Sequence, residues 1–392
     1  MFLRKGINVL SLFDGMSCGR IALDRSGIAV NTYHASEIDK HAITVSNDNY
    51  PDIIRHGDIT KWREWDIDWS SIDLILAGSP CQGFSFAGKQ LAFDDPRSAL
   101  FFVFVDILNH VKSINPNVKF LLENVKMKKE FLQVITDHLN VEPININSNL
   151  ITAQNRNRYY WCNWHVNQPD DLGINLVDIL ANGSELEDSL MSEGWFKWWD
   201  DNGEYQQSKG FSKVDPDKAL CMVARQYANW NGTFVTLDLV KYFSDNPSNT
   251  VLKFRARNKK IVEIKRADLA PGAFRETRTE LGKSVRKQAR KAGLPDTTPR
   301  TPDYKKYVQS DHNKANCIVA TRSFLDCIID DQFILRALVP LECERLQTVP
   351  DNYTASVSNT QRYKMLGNGW TVDVIVHLLL SLYDPNDLTT LT

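Results

Sequence analysis

Four short segments of the chain place reactive side chains next to turn-forming residues or at the ends of apolar runs. They are residues 13–19 (FDGMSCG), 78–85 (GSPCQGFS), 120–125 (FLLENV) and 154–160 (QNRNRYY). Between them they supply a thiol, carboxyl groups and paired guanidinium groups. Side chains of these types carry out nucleophilic and acid–base chemistry on polar substrates.

The first segment has the composition of a cofactor loop. Residues 13–19 lie between an apolar run and a helical stretch, and their glycines let the backbone approach a ligand beside the free N–H groups of a helix N-terminus. The segment is not G-x-G-x-x-G, and no Gly-Lys-Ser/Thr follows it, which disfavours phosphate binding. Taken alone, it is equally well explained as an ordinary turn between a strand and a helix.

Two acidic residues extend this pattern. Glu37 lies at the end of the next predicted strand, about twenty residues on, where an acid suits the hydroxyl groups of a ribose. Asp58, in Gly-Asp-Ile, follows the next element and can accept a hydrogen bond from an adenine amino group. The set indicates an adenosine-containing cofactor bound without a phosphate loop, and S-adenosylmethionine fits that description.

Cys81 follows Pro80 at the point where a loop leaves a predicted strand. Most free cysteines are small buried hydrophobes. We expect the loop over residues 82–97 to be mobile and close to solvent, so that a thiolate at its start can attack an electrophile. No Cys/His/Asn arrangement accompanies Cys81, which argues against a papain-like peptidase.

Further polar groups follow in the third and fourth segments. Glu123 ends an apolar run, and it is either a solvated strand end or an acid and hydrogen-bond donor beside the cofactor. Arg156 and Arg158 are two positions apart, which predicts both guanidinium groups on one face of a strand. Such a pair suits an anionic or base-edge partner better than it suits solvent alone.

The apolar runs predict the scaffold that positions these side chains. Strands are predicted over residues 8–13, 33–38, 73–77 and 120–122, and a helix over 19–26. Continuous apolar strands separated by helices are typical of a parallel sheet covered on both faces, so the predicted fold class is α/β. Ligands bind at the carboxyl ends of such strands, which is where the reactive segments fall.

Charge is distributed unevenly along the chain. The length of 392 residues predicts two lobes, and a hydrophobic content of 43% excludes a disordered or fibrous protein. The formal net charge is −2, yet residues 253–314 carry 18 Lys+Arg against 7 Asp+Glu, which leaves 28 basic and 41 acidic residues elsewhere. A basic segment on an acidic body indicates a polyanionic partner.

Cysteines and apolar segments bear on the location of the protein. The seven cysteines are odd in number and lack C-x-x-C spacing, so we expect neither a disulfide framework nor a metal site, and a reducing cytoplasm. The N-terminus has no signal-peptide pattern. The apolar run over residues 372–382 is too short to span a bilayer, which predicts a buried helix and no membrane partner.

The motifs, taken in this order, resemble those of the DNA (cytosine-5) methyltransferases. The first motif is most similar to the de novo methyltransferase branch, whereas the Gln after Cys81 and the compact layout are more similar to the bacterial or phage enzymes. FDGMSCG resembles the cofactor loop, GSPCQGFS the proline–cysteine catalytic motif, and ENV and QNRNR two further active-site motifs. Residues 336–347 (RALVPLECERLQ) resemble the motif that shapes the recognition domain, and 367–370 (GNGW) the closing cofactor motif. The resemblance covers residues 1–165 and 333–380 approximately.

The resemblance implies a role for each site residue. Cys81 would attack C6 of a flipped cytosine, Glu123 would contact N3 and the exocyclic amine, and Arg158 would hold the base near O2. Arg156 would support the site, and Asn124 would brace the loop that begins at Pro80. The cofactor pocket would be lined by Phe13, Asp14, Gly15, Ser17, Gly19, Glu37, Ile38, Asp58, Ile59, Pro80, Leu100, Asn368 and Trp370.

The resemblance also implies the domain organisation. A Rossmann-like S-adenosylmethionine-dependent methyltransferase domain would comprise residues 1–165 and 333–392, with a smaller target-recognition domain, 166–332, inserted in it. Residues 274–293 are interpreted as a basic helix against DNA phosphates, although a solvated charged helix explains the pattern as well. The candidate contacts to DNA are Gln82, Ser85, Arg225, Gln226, Tyr227, Arg286, Lys287, Arg290, Lys291, Arg322 and Ser323.

Three functions remain open at this point. The first is a DNA cytosine-5 methyltransferase, a monomer acting on double-stranded DNA in a bacterial cell or phage-infected host, with a restriction enzyme as its companion in the same system. The second is a tRNA cytosine-5 methyltransferase with the same fold, and the third is a catalytically silent DNA-binding relative. One departure stands out: Gly369 lies where the family usually has Ser or Ala, at the methionine end of the cofactor pocket.

Overall fold

The computed structural model describes most of the chain. The described residues are 6–80, 99–183, 186, 190–191, 212–224, 232–256, 261–266, 274–278, 280–291, 305–309, 328–330 and 333–382. The chain divides into two compact units: residues 1–180, 216–232 and 340–392 form the first, and 181–215 and 233–339 the second. The units divide later along the chain than the predicted domain boundaries, and residues 216–232 return to the first unit.

The first unit is built on one large sheet. Its strands are β1 (Ile7–Leu12), β2 (Val30–Ser36), β3 (Ile54–Arg55), β4 (Leu74–Gly78), β5 (Lys119–Val125), β6 (Ile144–Asn147) and β7 (Asn157–Cys162). The strand order is β3-β2-β1-β4-β5-β7-β6. Pairing is parallel from β3 to β5, while β7 runs antiparallel to both β5 and β6. This sheet confirms the predicted α/β, Rossmann-like fold class.

Helices cover the sheet and close its core. Helix bounds in this unit are α1 (Cys18–Arg25), α2 (Lys40–Asn49), α3 (Ala99–Ile114), α4 (Lys129–Leu139), α7 (Pro340–Leu346), α8 (Asn359–Asn368) and α9 (Val372–Leu382). Helix α3 buries Phe101, Phe104, Leu108 and Val111, an apolar stripe at helical spacing, against the core residues of β4 and β5. Burial of this stripe is what fixes α3 on the sheet.

Most of the predicted strands lie within a few residues of the observed ones, but the strand that carries Glu123 is longer than predicted. The apolar signal ends at Leu122, whereas β5 continues to Val125. Strand β7 supplies the reason, because Glu123 pairs with Tyr160 and Asn124 with Tyr159 across the antiparallel ladder. Glu123 and Asn124 therefore lie inside a strand rather than in a loop.

The C-terminal apolar segment is a core helix. Within the described residues, one stretch, Asn359–Leu382, is long and apolar enough to cross a membrane, and 56% of its apolar window is buried inside the protein. Its second half, α9, buries Ile375, Leu378 and Leu379 and packs against α1. This packing confirms the buried helix predicted over residues 372–382.

The described residues of the second unit form smaller sheets and two helices. Its elements are β8 (Leu190–Met191), β9 (Ser212–Val214), β10 (Gly232–Asp238), α5 (Leu239–Asp245), β11 (Val251–Ala256), β12 (Ile261–Lys265), β13 (Phe274–Arg278), α6 (Glu280–Lys291), β14 (Lys305–Gln309), β15 (Ile328–Asp330) and β16 (Phe333–Ala337). The helix predicted over 274–293 is wrong in its first part. Residues 274–278 form a strand because β14 pairs with them along their whole length.

Candidate active site

The reactive segments meet at the carboxyl ends of β1, β2, β4 and β5. In the sheet register Leu12 lies beside both Ser36 and Ala77, and Gly78 lies beside Glu123. The segments that follow Leu12, Ser36 and Gly78 therefore leave the sheet next to one another. This convergence is the one predicted from the strand pattern.

The loop after β1 is held by its own polar side chains. The Asp14 carboxylate accepts hydrogen bonds from Ser17 Oγ at 2.5 Å and from Tyr33 Oη at 2.9 Å. Desolvation raises the pKa of Asp14, and these hydrogen bonds oppose the rise only in part. Phe13 and Ser17 both adopt positive φ, near 60°, so the turn is tight and its geometry is fixed by these contacts.

Glu37 ties this loop to the end of β2. Its carboxylate accepts the backbone N–H of Gly15 at 2.8 Å through Oε2, and those of Ile38 and Asp39 at 2.7 and 2.8 Å through Oε1. Beside it, the Ile38 side chain is 74% exposed, an uncommon state for a large apolar group. The pair offers an acceptor and an apolar surface side by side, which suits a ribose joined to a flat base.

Asp58 and its neighbour Ile59 lie on the next connection. The Asp58 carboxylate caps a 3-10 turn over residues 59–64 by accepting the N–H and hydroxyl of Thr60, both at 2.9 Å, and these bonds lower its pKa. The side chain of Ile59 lies in the hydrophobic core, as does most of Leu100. Any contact from Ile59 to a cofactor must therefore come from its backbone.

Trp370 connects the closing motif to the carboxylate of Glu123. Its indole ring lies against Gly78, where a Cβ would come within 2.9 Å of Nε1, and against Gly19, where a Cβ would lie 3.6 Å from the ring. Its Nε1 donates to Glu123 Oε2 at 3.2 Å. Trp370 thus occupies a slot that two glycines leave open, and from that slot it orients Glu123.

Glu123 is a nearly buried carboxylate with a charged partner. Arg158 Nε lies 3.0 Å from Glu123 Oε1, and the two side chains are only 13% and 12% exposed. The following residue, Asn124, donates to Ser79 Oγ at 3.1 Å, directly before Pro80. One strand therefore positions an ion-paired carboxylate and an amide that contacts the end of β4.

The two arginines of the QNRNR segment have different surroundings. Arg156 precedes β7 and is 3% exposed, so the prediction that both arginines lie on a strand is wrong. Their guanidinium groups nevertheless face the same side, 3.7 and 3.8 Å from Cys221 Sγ. Its guanidinium group donates to three backbone carbonyls, those of Met222 (3.2 Å), Gly367 (3.2 Å) and Gly369 (2.8 Å). Burial lowers the pKa of Arg156, and so does the nearby charge of Arg158. Arg156 fixes the backbone around the site, while Arg158 contacts Glu123.

A model of the C-5 cytosine-specific DNA methylase family matches residues 7–384. The chain belongs to this family. It is 26% identical to the orphan methyltransferase M.SPRI of Bacillus phage SPR over 96% of this chain and 97% of that protein. It is 42% identical to the type II methyltransferase M.NlaIV of Neisseria lactamica, over 31% of this chain and 28% of the relative. The alignment with M.NlaIV therefore spans less than a third of that relative's length.

Solved structures support the fold. The Entamoeba histolytica methyltransferase EhMeth covers 98% of this chain with a TM-score of 0.58 at 14% identity. The Dnmt2 methyltransferase of S. pombe covers 98% with a TM-score of 0.55 at 16% identity. At these identities the likeness shows the fold alone.

The first unit of this DNA methylase contains polar contacts that the motifs did not predict. Cys221, on the returning segment 216–224, places its Sγ 3.7 Å from Arg156 and 3.8 Å from Arg158. Gln154 is fully buried; its Oε1 accepts the Met222 N–H at 2.9 Å, and its Nε2 lies 3.4 Å from the buried Gln347. Nothing in the sequence around Cys221 pairs it with the arginines, because they are more than sixty positions apart.

The structure explains the family departure at Gly369. A Cβ at this position would come within 3.0 Å of both Met16 Cε and the Met365 carbonyl oxygen. Met16 belongs to the loop after β1 and is buried, so it takes up the space that a larger residue at 369 would need. Neighbouring Gly367 is constrained more tightly, since its Cβ would lie 2.4 Å from the Val223 backbone.

Several residues predicted to contact substrate lie outside the described residues: Cys81, Gln82, Ser85, Arg225, Gln226, Tyr227, Arg322 and Ser323. Among the others, Pro80 follows the end of β4, and Asn368 is exposed at the last position of α8. Helix α6 carries all four predicted basic residues; Arg286 is half-buried, and Lys287 and Lys291 are exposed.

Proposed function

We propose that the protein is an S-adenosylmethionine-dependent DNA (cytosine-5) methyltransferase that acts on a cytosine flipped out of duplex DNA. One observation carries the proposal: a nearly buried Glu123, held by Arg158 and Trp370, lies at the same sheet edge as the Asp14–Glu37 loops in a chain of this family. A catalytically silent relative would not need a buried ion pair at this position, because removing two charges from water costs free energy.

The carboxylate and arginine suit the chemistry of cytosine. C5 of cytosine is a poor nucleophile, and adding the Cys81 thiolate at C6 makes C5 enamine-like. The S–C6 bond forms, and C5 then takes the methyl group as S-adenosylhomocysteine leaves. The C5 proton passes to solvent, and the electron pair of that C–H bond restores the C5–C6 double bond and expels the Cys81 thiolate. During this sequence Glu123 would hold the N3 and amino edge, and Arg158 the O2 edge. These atoms are inaccessible in a stacked duplex, so the base must leave the helix.

The loops after β1 and β2 support the proposal that the cofactor is S-adenosylmethionine. A Cβ added to Gly15 would have no atom within 4 Å, so the backbone of the loop after β1 faces open space at this residue. Glu37 would accept the ribose hydroxyls, Ile38 would cover the adenine, and Asp58 would approach its amino group. Once bound there, S-adenosylmethionine supplies an electrophilic methyl group. The loop after β1 and Trp370 would hold its sulfur side towards Glu123.

We assign DNA binding chiefly to the predicted target-recognition domain of residues 166–332, which overlaps most of the second unit. The basic segment 253–314, with 18 Lys+Arg against 7 Asp+Glu, falls inside it. We further propose a monomer in the cytoplasm of a bacterial cell or a phage-infected host, with a companion restriction enzyme. The bacterial and phage relatives and the four free cysteines among the described residues support this setting.

Methyl transfer tests the function directly. The purified protein should move labelled methyl from S-adenosylmethionine to cytosine in duplex DNA, and Cys81→Ser should abolish the transfer. Cys162→Ser, which changes a buried thiol at the end of β7, is the matched control and should remain active. Transfer to tRNA alone would favour the RNA enzyme, while full activity without Cys81 would exclude the covalent route.

The basic helix α6 has its own test. Neutralising Arg286, Lys287, Arg290 and Lys291 with glutamine should weaken binding alike at every DNA sequence. The slope of log K against log salt should fall by about 0.9 for each phosphate that the variant no longer neutralises. Lys241→Gln, an exposed lysine before the basic segment, is the control. An unchanged slope would show that α6 is a solvated face.

A further inference from the structure

We propose that Cys221 is a positioning residue for the reaction: its sulfur holds the guanidinium group of Arg158 in the plane that meets Glu123. The sulfur lies between two arginines, 3.7 Å from Arg156 and 3.8 Å from Arg158. Cys221 lies outside every segment of the chain that resembles a family motif. The effect on catalysis rests on the proposed methyltransferase function, whereas the contact itself does not.

Arg158 is oriented through three nitrogens. Nε lies 3.0 Å from Glu123 Oε1, one terminal nitrogen donates to the Asn157 carbonyl at 2.9 Å, and the other faces Cys221 Sγ. A planar guanidinium contacted at three points has one orientation, and a pair that must stay aligned with Glu123 needs that restriction. Removing the sulfur leaves this plane less restricted without removing the ion pair.

The backbone fixes the position of the sulfur. The next residue, Met222, donates its N–H to Gln154 Oε1 at 2.9 Å and accepts from Arg156 at 3.2 Å. Two residues before Cys221, the backbone of Ala219 donates to the Ala153 carbonyl at 2.7 Å and accepts from the Asn155 N–H at 2.8 Å. Sγ is thus held by the segment that carries it, so the arginines meet a defined acceptor.

Electrostatics favours an anionic sulfur at this point. Two guanidinium groups close together repel each other, and a negative charge between them offsets the repulsion. Burial raises the pKa of Cys221, but Arg156 and then Arg158 more than offset this, so the pKa lies below that of a free thiol. Among the described residues these arginines are the charged groups that face the sulfur, with Glu123 behind Arg158.

The kinetic test compares Cys221→Ala and Cys221→Ser with wild type. The alanine variant should show a kcat about tenfold lower, the effect of removing one hydrogen bond to a charged group, with the KM for S-adenosylmethionine unchanged. The serine hydroxyl can still accept a hydrogen bond, but it does not ionise over the pH range in which a thiol does. The ratio of wild-type to serine rates should therefore rise with pH as the Cys221 thiolate forms. A flat ratio, or a wild-type kcat for the alanine variant, would overturn the proposal.

A second measurement requires no activity. The rate of alkylation by iodoacetamide, followed by mass spectrometry against pH, reports the ionisation of each thiol in the whole protein. Cys221 should titrate below a free cysteine, and Arg158→Gln should raise its pKa. Cys162 is the control, because burial raises its pKa to about 11. If the wild-type protein transfers no methyl group to DNA, the proposed function is wrong, but this titration still tests the contact between Cys221 and the arginines. A Cys221 pKa equal to that of a free cysteine would overturn the proposed contact.

Discussion

The two halves of the candidate site are assembled in different ways. The cofactor half, from Asp14 to Glu37, is closed by contacts within neighbouring strands and turns, such as Glu37 to Gly15 over 22 positions. The catalytic half joins Glu123 to Trp370 across 247 positions and Arg156 to Gly369 across 213. Contacts between neighbouring strands and turns dominate the first half, although the Tyr353 hydroxyl also donates to the Met16 carbonyl across 337 positions. The second half depends throughout on contacts between segments far apart in the first unit.

The largest expected effect comes from the acid at the centre of the catalytic half. Glu123→Gln keeps the shape of the side chain and an acceptor for Trp370, but it removes the charge that pairs with Arg158. We expect kcat to fall by about 10²–10⁴-fold, the range for a positioned acid–base group. Single-turnover methyl transfer to duplex DNA measures this.

The control for this variant is Glu130→Gln, a change of the same type at an exposed residue on α4. It should leave the rate within about twofold, since exposed substitutions away from a site are nearly neutral. A Glu123→Gln enzyme with a wild-type rate would show that the catalytic half is organised around another group.

The two arginines sharpen the comparison, because Arg156 donates to backbone carbonyls whereas Arg158 is the partner of Glu123 and has a proposed role in the reaction. Arg156→Lys cannot reach the carbonyls of Met222, Gly367 and Gly369 together, so we expect a decrease of about 2–3 kcal/mol in the free energy of unfolding. Arg158→Lys should instead lower kcat more than stability. Urea denaturation and methyl-transfer rates on both variants test this crossover. Equal decreases in stability would contradict it.

The difference between local and long-range contacts also explains which features of the fold and the site the sequence could predict. The apolar runs predicted the sheet, and the motifs pointed to Asp14, Glu37 and Glu123 because each follows or ends a strand. The period of two between Arg156 and Arg158 predicted guanidinium groups on one side but not their different partners, since Arg156 precedes the strand and donates to three backbone carbonyls. A sequence pattern records which residues share a local face, not which distant backbone will cover it.

Contacts between distant segments escaped prediction for that reason. Cys221 lies on a segment that resembles no motif, and the segment reaches the buried Gln154 of the QNRNR motif only because residues 216–224 return to the first unit. The strand end beyond Leu122 was missed likewise, because its ladder depends on β7. The sequence of one segment does not show which distant segment it will contact in the fold.

The junction of the two halves gives a smaller effect. Gly369→Ala forces a Cβ within 3.0 Å of Met16 Cε, so we expect a decrease of about 1–3 kcal/mol in the free energy of unfolding from overpacking. Met16→Leu shortens the partner, and the double variant should recover about 1 kcal/mol relative to the sum of the single changes. Urea denaturation of the four proteins measures this coupling. Strict additivity would show that Met16 does not restrict position 369.

The smallest effect should come from the hydrogen bond that links the two halves. Trp370→Phe keeps an aromatic ring between Gly19 and Gly78 and removes only the N–H that Glu123 accepts. One such bond is worth about 1–2 kcal/mol, so we expect kcat to fall by roughly 5- to 30-fold while stability changes little. Methyl-transfer kinetics and urea denaturation measure the two quantities.

Trp164→Phe is the matched control, because its indole also donates one hydrogen bond, to the Leu378 carbonyl at 2.9 Å, away from Glu123. That variant should become somewhat less stable and keep its kcat. If Trp370→Phe behaves in the same way, the closing motif acts on the pocket wall alone. If it lowers kcat at unchanged stability, Trp370 couples the cofactor half of the site to the orientation of Glu123. The two halves then work as one site even though they are built by different means.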